Sequence, residues 1–340
     1  MRALAVLPEL AKRHEMLILA GGSAYEALHA EYPVTRIPTL TYALNRKGRR
    51  SAYRTIQRGL PAVMDLAANG PVSDMVADTI RDFAPEVVIS DSEAWTHHAA
   101  ARLGIPRISY DHFAVLAYCH WPMSWRQRLA CRLEAAAYKK LMGRPERMVI
   151  VSFYDAPPRR HGVCVVGPVL RPLVRRASPS RGEHLLVYFS NGEKHFTPRV
   201  ESALAELDMP VWVYGAGRDG RCGNIEFRPP SNTQFVADLA SCRAVFATAG
   251  NQLISEAMHF GKPLLAMPED SLEQQLNAAM VQRLGYGLRV RRDRISAATV
   301  RDLLSGEDRY SANLLAAARD GAAEAVKAIE RFAEELACQR

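Results

Sequence analysis

The residues best suited to chemistry lie between positions 244 and 287. The apolar run 244-AVFAT-248 leads into Ala249, Gly250 and Asn251, and a helix-like pattern then continues to Phe260. A glycine at a strand-to-helix turn lets backbone N–H groups approach a ligand, and the positive end of the helix dipole favours an anion such as a diphosphate. Gly250 is also readable as a plain helix-entry glycine. Glu256 falls roughly one to two turns into the same helix, within reach of a nucleoside whose phosphates sit at the helix start. A carboxylate there can accept two ribose hydroxyls; its plainer reading is a surface carboxylate. After 263-PLLAMP-268, Glu273, Gln274 and Asn277 come at the front of a second helix facing the same crevice. Such side chains suit sugar hydroxyls, which need paired donors and acceptors, or are simply polar residues of a helix start. The turn 190-SNGE-193, with Ser190 and Asn191, could equally approach phosphate or be a simple loop. No metal site is expected: His97 and His98 face different ways on a helix, and neither has a carboxylate at ligand spacing.

The elements that position these residues alternate strand and helix throughout, an α/β pattern with largely parallel sheets. In the first half the expected strands are 16-MLILA-20, 34-VTRI-37, 87-VVIS-90, 106-PRISY-110 and 148-MVIVSF-153. A helix is expected over 73-SDMVADTIRDF-83, capped by Ser73. The stretch 171–182, with Pro, Ser and Arg but no apolar period, reads as a linker. The same grammar restarts in 185-LLVYFS-190, 211-VWVYGA-216, 244-AVFAT-248 and 263-PLLAMP-268, and helical spacing runs on from Ala297. The expected architecture is therefore two tandem doubly wound, Rossmann-like domains with a cleft between them, over residues 1–170 and 183–340. The opening is unusual. Residues 2-RALAVLPELAKRH-14 read as an amphipathic helix, whereas a doubly wound domain normally opens with a strand that becomes central in its sheet. Leaving that strand out would strand interior N–H and C=O groups, so an upstream start is expected.

In order, the segments AGNQLISE, GKP, MP, EQQLNA and GYG resemble the donor-binding half of GT-B glycosyltransferases, specifically the UDP-glycosyltransferase superfamily and the peptidoglycan N-acetylglucosaminyltransferase. The resemblance implies that Gly250 and Asn251 hold a diphosphate, Glu256 the ribose, and Glu273 and Gln274 the transferred sugar. The superfamily's HGG or SGG triplet is thinned here to Ala249-Gly250. The spacing from Pro268 to Glu273 is one residue longer than in the plant enzymes. The segment 85-PEVVISDSEAWTHHAAARLGIPRISYDH-112 resembles the acceptor half more loosely, with Asp91 in the place of an aspartate that orients a catalytic histidine. That histidine's Gly-His loop has no counterpart from Arg2 onward, and it belongs where a strand is already needed. Within this chain Asp91, then His112, are the residues left for acid–base work. Asp91 is equally placed to cap the next helix, and His112, like His97 and His98, also fits a structural role.

Composition narrows the classes further. With 340 residues, 48% hydrophobic and 24% charged, the chain has a globular composition, and no apolar run approaches the roughly 18 residues that cross a bilayer. Six cysteines without a C-x-x-C pair fit reduced thiols and a cytoplasmic protein. The net charge of +8 falls mostly in residues 1–170, which carry 22 Lys and Arg against 15 Asp and Glu. In 118–144, Trp121 and Trp125 stand among Arg126, Arg128, Arg132, Lys139 and Lys140. This suits an anionic membrane surface and a lipid-linked acceptor, or a helix packed on its own domain with its charges in water. No nucleic-acid module is recognisable. The resulting expectation is an inverting, metal-independent transfer of sugar from a UDP-sugar to a lipid-linked, small-molecule or glycan acceptor. A UDP-sugar 2-epimerase-like isomerase and a non-catalytic nucleotide-sugar-binding protein are the alternatives.

Overall fold

The protein is described by a computed structural model over residues 2–39, 52–121, 125–189 and 192–338. It forms two units. The first runs to Arg171 and takes the chain back from Gly321; the second is built from Pro172–Asp320.

The first unit opens with α1 (Ala3–Leu10), β1 (Ile18–Ala20), α2 (Gly22–Leu28), β2 (Val34–Arg36), α3 (Ala52–Ala68) and α4 (Pro71–Phe83). It continues with β3 (Val88–Ser90), α5 (Ala94–Arg102), β4 (Arg107–Asp111), α6 (Val115–Tyr118), α7 (Trp125–Met142), β5 (Arg147–Val151) and β6 (Val163–Val166). All strand pairs here are parallel, but they form two separate pieces, β1-β2 and β3-β4-β5-β6. The expected helix over 73–83 starts earlier, at Pro71, and Ser73 is not its cap. Asp65 of α3 takes that role from upstream, accepting from the backbone N–H of Val72 and Ser73 at 3.1 and 2.9 Å. Those bonds hold its carboxyl below the usual range although its desolvation acts the other way.

The second unit comprises α8 (Pro172–Arg176), β7 (Leu185–Tyr188), α9 (Gly192–His195), α10 (Pro198–Ala205), β8 (Val211–Tyr214), β9 (Gly220–Cys222) and β10 (Ile225–Arg228). Next come α11 (Asn232–Ser241), β11 (Ala244–Ala247), α12 (Asn251–His259), β12 (Leu264–Ala266), α13 (Leu272–Arg283), β13 (Gly287–Arg289), α14 (Ala297–Ser305) and α15 (Glu307–Ala317). Its seven-stranded sheet has the order β13-β12-β11-β7-β8-β10-β9, parallel except for β9 at the edge. Numbering the parallel strands along the chain gives the 3-2-1-4-5-6 order of a doubly wound nucleotide-binding domain. The expected linker 171–182 is not one: Ser180 and Gly182 donate backbone bonds to Ala240 and Ser241, which ties this stretch to the second unit.

The last helix, α16 (Ala322–Ala337), was expected with the second domain and instead completes the first unit. Its apolar stripe, including Ala325, Ile329 and Phe332, packs with Val6 and Leu10 of α1 against Ile108, Val149 and Val166 of the sheet. An amphipathic stripe must bury itself on some apolar face, and this sheet supplies one. Helix α7 packs inward through Cys131 and Tyr138 while Leu129 and Leu133 stand exposed beside Arg128 and Arg132. Among the described residues no helix is long and apolar enough to cross a membrane.

One buried group makes stability depend on pH. His97 of α5 is fully buried, and burial, aided by the nearby Arg107, pushes its pKa from 6.5 down to about 3. Above pH 6.5 the ring is neutral in folded and unfolded chains alike. As pH falls below that value the unfolded chain gains a proton that the folded chain refuses, so stability is lost. Between pH 7.5 and 5.5 this single residue removes about 1.4 kcal/mol. Urea unfolding of His97→Leu is expected to show a correspondingly smaller loss over that interval; an unchanged loss would mean the ring is protonated in the folded state.

Candidate functional site

In an open doubly wound sheet, ligands bind beyond the carboxyl ends of the strands where the strand order reverses. In the second unit that point lies between β7 and β11. The turn after β11 is Thr248-Ala249-Gly250, and α12 starts directly after it. Gly250 has φ −73° and ψ 132°, a conformation open to any residue, and a Cβ placed on it would meet no atom within 4 Å. Its lack of a side chain is thus not demanded by the backbone; it leaves open space at a helix N-terminus. Asn251 heads the nine-residue α12 and is only 5% exposed, yet neither polar atom of its amide has a hydrogen-bond partner among the described residues. Buried amides are normally satisfied, so this pair is exceptional. Glu256, one turn further on, is buried and accepts from Gln252 Nε2 at 2.9 Å.

The other residues named from sequence brace this turn. Asn277 of α13, fully buried, donates from Nδ2 to the Ala249 carbonyl at 3.0 Å and to Glu273 Oε1 at 2.7 Å. Gln274 accepts the backbone N–H of Glu269 at 2.9 Å. Glu273 and Gln274 remain partly exposed. Ser190 and Asn191 lie outside the described residues.

Sequence reasoning missed a cluster beside them. His195, 1% exposed, ends α9; its Nδ1 accepts from Arg292 Nη2 at 2.7 Å, and its Nε2 lies 3.3 Å from Glu269 Oε1. His195, Glu269 and Arg292 come from segments after β7, β12 and β13, so they gather at the same carboxyl edge as Gly250. Lys194 and His195, right after the turn singled out at 190–193, were the available signal. It was unreadable without the sheet order.

On the first unit, Asp91 follows β3 and His112 follows β4, at the same end of adjacent strands. Asp91 does not cap α5, since Glu93 does so by accepting from the N–H groups of Trp95 and Thr96. Asp91 instead accepts from Arg2 at 2.5 and 3.1 Å. The His112 ring is buried, and Nδ1–H donates to the Val151 carbonyl at 2.6 Å, leaving Nε2 as the basic nitrogen. Beside it the fully buried Asp111 accepts from the Ala114 N–H at 2.8 Å and from the Tyr138 hydroxyl. Burial and then the Asp111 charge push the Tyr138 phenol well above its usual range, keeping it a donor. His98 Nε2 bonds the Leu141 carbonyl at 2.8 Å, a structural role. Among the described residues no group of three or more His, Cys, Asp and Glu side chains could hold a metal ion.

Known structures share this fold. The chain is similar over 98% of its length to the calicheamicin glycosyltransferase, covering 95% of that structure at 19% identity with a TM-score of 0.62. It is similar to Phytolacca americana UGT2, solved with UDP-2fluoro-glucose and pterostilbene, at 16% identity and a TM-score of 0.63, covering 98% of this chain and 95% of that one. MurG of Acinetobacter baumannii gives 15% identity and a TM-score of 0.57 over 97% of this chain and 95% of its own. These likenesses show the fold, the two-domain GT-B architecture. By sequence, an uncharacterized glycosyltransferase of Methanosarcina acetivorans is 26% identical over 318 residues, 84% of this chain and 80% of that protein. One from Methanosarcina mazei matches at 26% over 319 residues, with the same coverage of each chain. The model of one family, described as glycosyl transferase family 1, matches residues 1–306. With so much of the chain inside that match, and the strand order of its second unit that of a nucleotide-binding domain, this protein belongs to glycosyl transferase family 1.

Proposed function

We propose that this protein transfers a sugar from a nucleotide-diphosphate sugar, a UDP-sugar by preference, to an acceptor hydroxyl with inversion at the anomeric carbon. The observation that carries this reading is the buried, unpartnered Asn251 amide beside the open Gly250 turn, at the N-terminus of α12. Backbone N–H groups of that turn, the Asn251 amide and the Arg292 guanidinium supply the positive potential a departing diphosphate needs. Because these fixed groups stabilise the leaving charge, the reading needs no divalent ion. Glu256 takes the ribose hydroxyls, and Glu273 and Gln274 the sugar. The acceptor oxygen loses its proton to a base as it attacks the anomeric carbon, and the bond from that carbon to the diphosphate breaks, releasing the nucleoside diphosphate. Of the two groups assigned to acid–base work, His112 has its Nδ1 engaged by the Val151 carbonyl and would act through Nε2, while Asp91 is held in an ion pair with Arg2. The exposed Leu129 and Leu133 beside arginines suit an anionic lipid surface, which favours a lipid-linked acceptor.

The test is UDP release from UDP-sugars in the presence of EDTA, with no acceptor, with soluble glycosides, and with anionic vesicles carrying a lipid-linked saccharide. The expected result is acceptor-dependent release, fastest with the vesicles. Free UDP without acceptor would instead indicate an epimerase, and nucleotide-sugar binding without release a binding protein.

A further inference from the structure

Cys242 and Arg243 stand directly before β11, and Lys262 and Pro263 directly before β12, so all four lie at the amino ends of these parallel strands, the opposite edge of the sheet from Gly250. A cavity of about 260 Å³ opens there, lined wholly by residues of the second unit. Lysine usually lays its stem on apolar surface and keeps its ammonium in water. Lys262 instead is only 5% exposed. One of its three N–H groups donates to the Ser180 carbonyl, and among the described residues no acidic side chain pairs with it. Burial pulls its pKa down from 10.5, and the nearby Arg181 acts in the same direction, as expected for an ammonium without a counter-charge.

The two acids of the lining are engaged by its two arginines. Glu307 Oε1 accepts from Arg181 Nη2 at 2.5 Å and from Arg243 Nη2 at 2.9 Å, and its Oε2 from Arg243 Nε at 2.7 Å. Asp308 Oδ1 lies 3.3 Å from Arg181 Nη1. Arg181 and Arg243 therefore balance Glu307 and Asp308, and Lys262 is left as one uncompensated positive charge. Much of the remaining lining is apolar, with Phe260, Pro263 and Leu315 among it, and Leu315 is 54% exposed. The wall is also held in place: Ser311 of α15 donates to the Gly261 carbonyl at 2.6 Å, fixing the turn that carries Lys262.

We propose that this pocket binds a small organic monoanion, with its carboxylate on the Lys262 ammonium and its apolar body against Phe260, Pro263 and Leu315. One negative charge neutralises the pocket, whereas a dianion such as phosphate brings one too many and leaves the apolar wall wet. A neutral ligand would leave the ammonium uncompensated. The volume lies just under the roughly 300–1,000 Å³ of pockets for drug-sized ligands, which limits the occupant to a small acid. Because the pocket and the Gly250 turn lie at opposite edges of one sheet, a nucleotide at that turn does not compete with it.

The test is calorimetry with benzoate and butyrate against their neutral amides, benzamide and butyramide, on the full chain and on Lys262→Met. At least one acid is expected to bind roughly tenfold or more tightly than its amide, as a charge-assisted bond implies. Lys262→Met should bind acid and amide alike, and UDP should leave the acid's affinity unchanged. A second measurement needs no variant: acetylation of the unmodified protein by acetic anhydride, read by mass spectrometry, should slow roughly tenfold at Lys262 in saturating acid and stay constant at the exposed Lys327. Equal binding of acid and amide, an acid preference kept in Lys262→Met, displacement of the acid by UDP, or unchanged acetylation of Lys262 with both acids would each overturn the proposal.

Discussion

Glu256→Ala is expected to weaken UDP binding about 10- to 100-fold, since hydrogen bonds to a charged group contribute about 1.5–3 kcal/mol. The residue is 1% exposed, and Gln252 Nε2 already engages one of its oxygens. On the proposed reading a bound ribose offers this carboxylate two hydroxyl donors. Titration calorimetry with UDP and with its 2′,3′-dideoxy analogue separates this role from a merely structural one. The unmodified protein should bind the analogue more weakly than UDP by the same factor that the mutation costs. Glu256→Ala should then bind both nucleotides alike, because the two changes remove the same contact. If the unmodified protein binds both nucleotides equally, Glu256 does not hold the ribose, whatever its mutation does to folding.

Local order made this residue legible. Gly250, Asn251 and Glu256 occupy one turn and one helix, so their mutual placement follows from helical geometry alone. The strands around them were equally plain, because buried parallel strands read as unbroken apolar runs. Strand β9 escaped because all three of its residues are exposed, and β10 because only Ile225 and Phe227 of its four are apolar. Helix α16 was visible as a helix but not in its destination, since an apolar stripe states that it must be covered and not by what. The cluster of His195, Glu269 and Arg292 was hidden for the same reason. His195 and Arg292 are 97 residues apart and meet only because β7 and β13 end on the same edge. Asn277 shows a subtler limit. A polar residue at a helix front suggests an outward role, and here its Nδ2 points inward to hold the Ala249 carbonyl.

The glycine at the turn offers the sharpest separation between binding and folding. Gly250→Val is expected to change stability by no more than about 1 kcal/mol, because two small effects oppose. Valine is a poorer N-cap than glycine, but it also restricts the unfolded chain, which is worth about 0.4–1 kcal/mol in its favour. No strain adds to these, for φ −73° and ψ 132° suit valine, and its Cβ meets nothing within 4 Å. Gly261 is a glycine of the opposite kind: its φ is +65°, and a Cβ there would lie 2.8 Å from Leu315, so its substitution damages the fold directly. At position 250 the added methyl groups instead occupy the space where phosphate oxygens would approach the backbone N–H groups of α12. Pushing the diphosphate out by about one methyl radius breaks several charge-assisted bonds at once, so UDP affinity should fall by roughly a hundredfold or more. Melting curves and calorimetry on the same sample read both quantities. Near-normal melting with lost binding marks Gly250 as ligand space, whereas lowered melting with intact binding marks it as a helix-entry glycine and moves the diphosphate elsewhere.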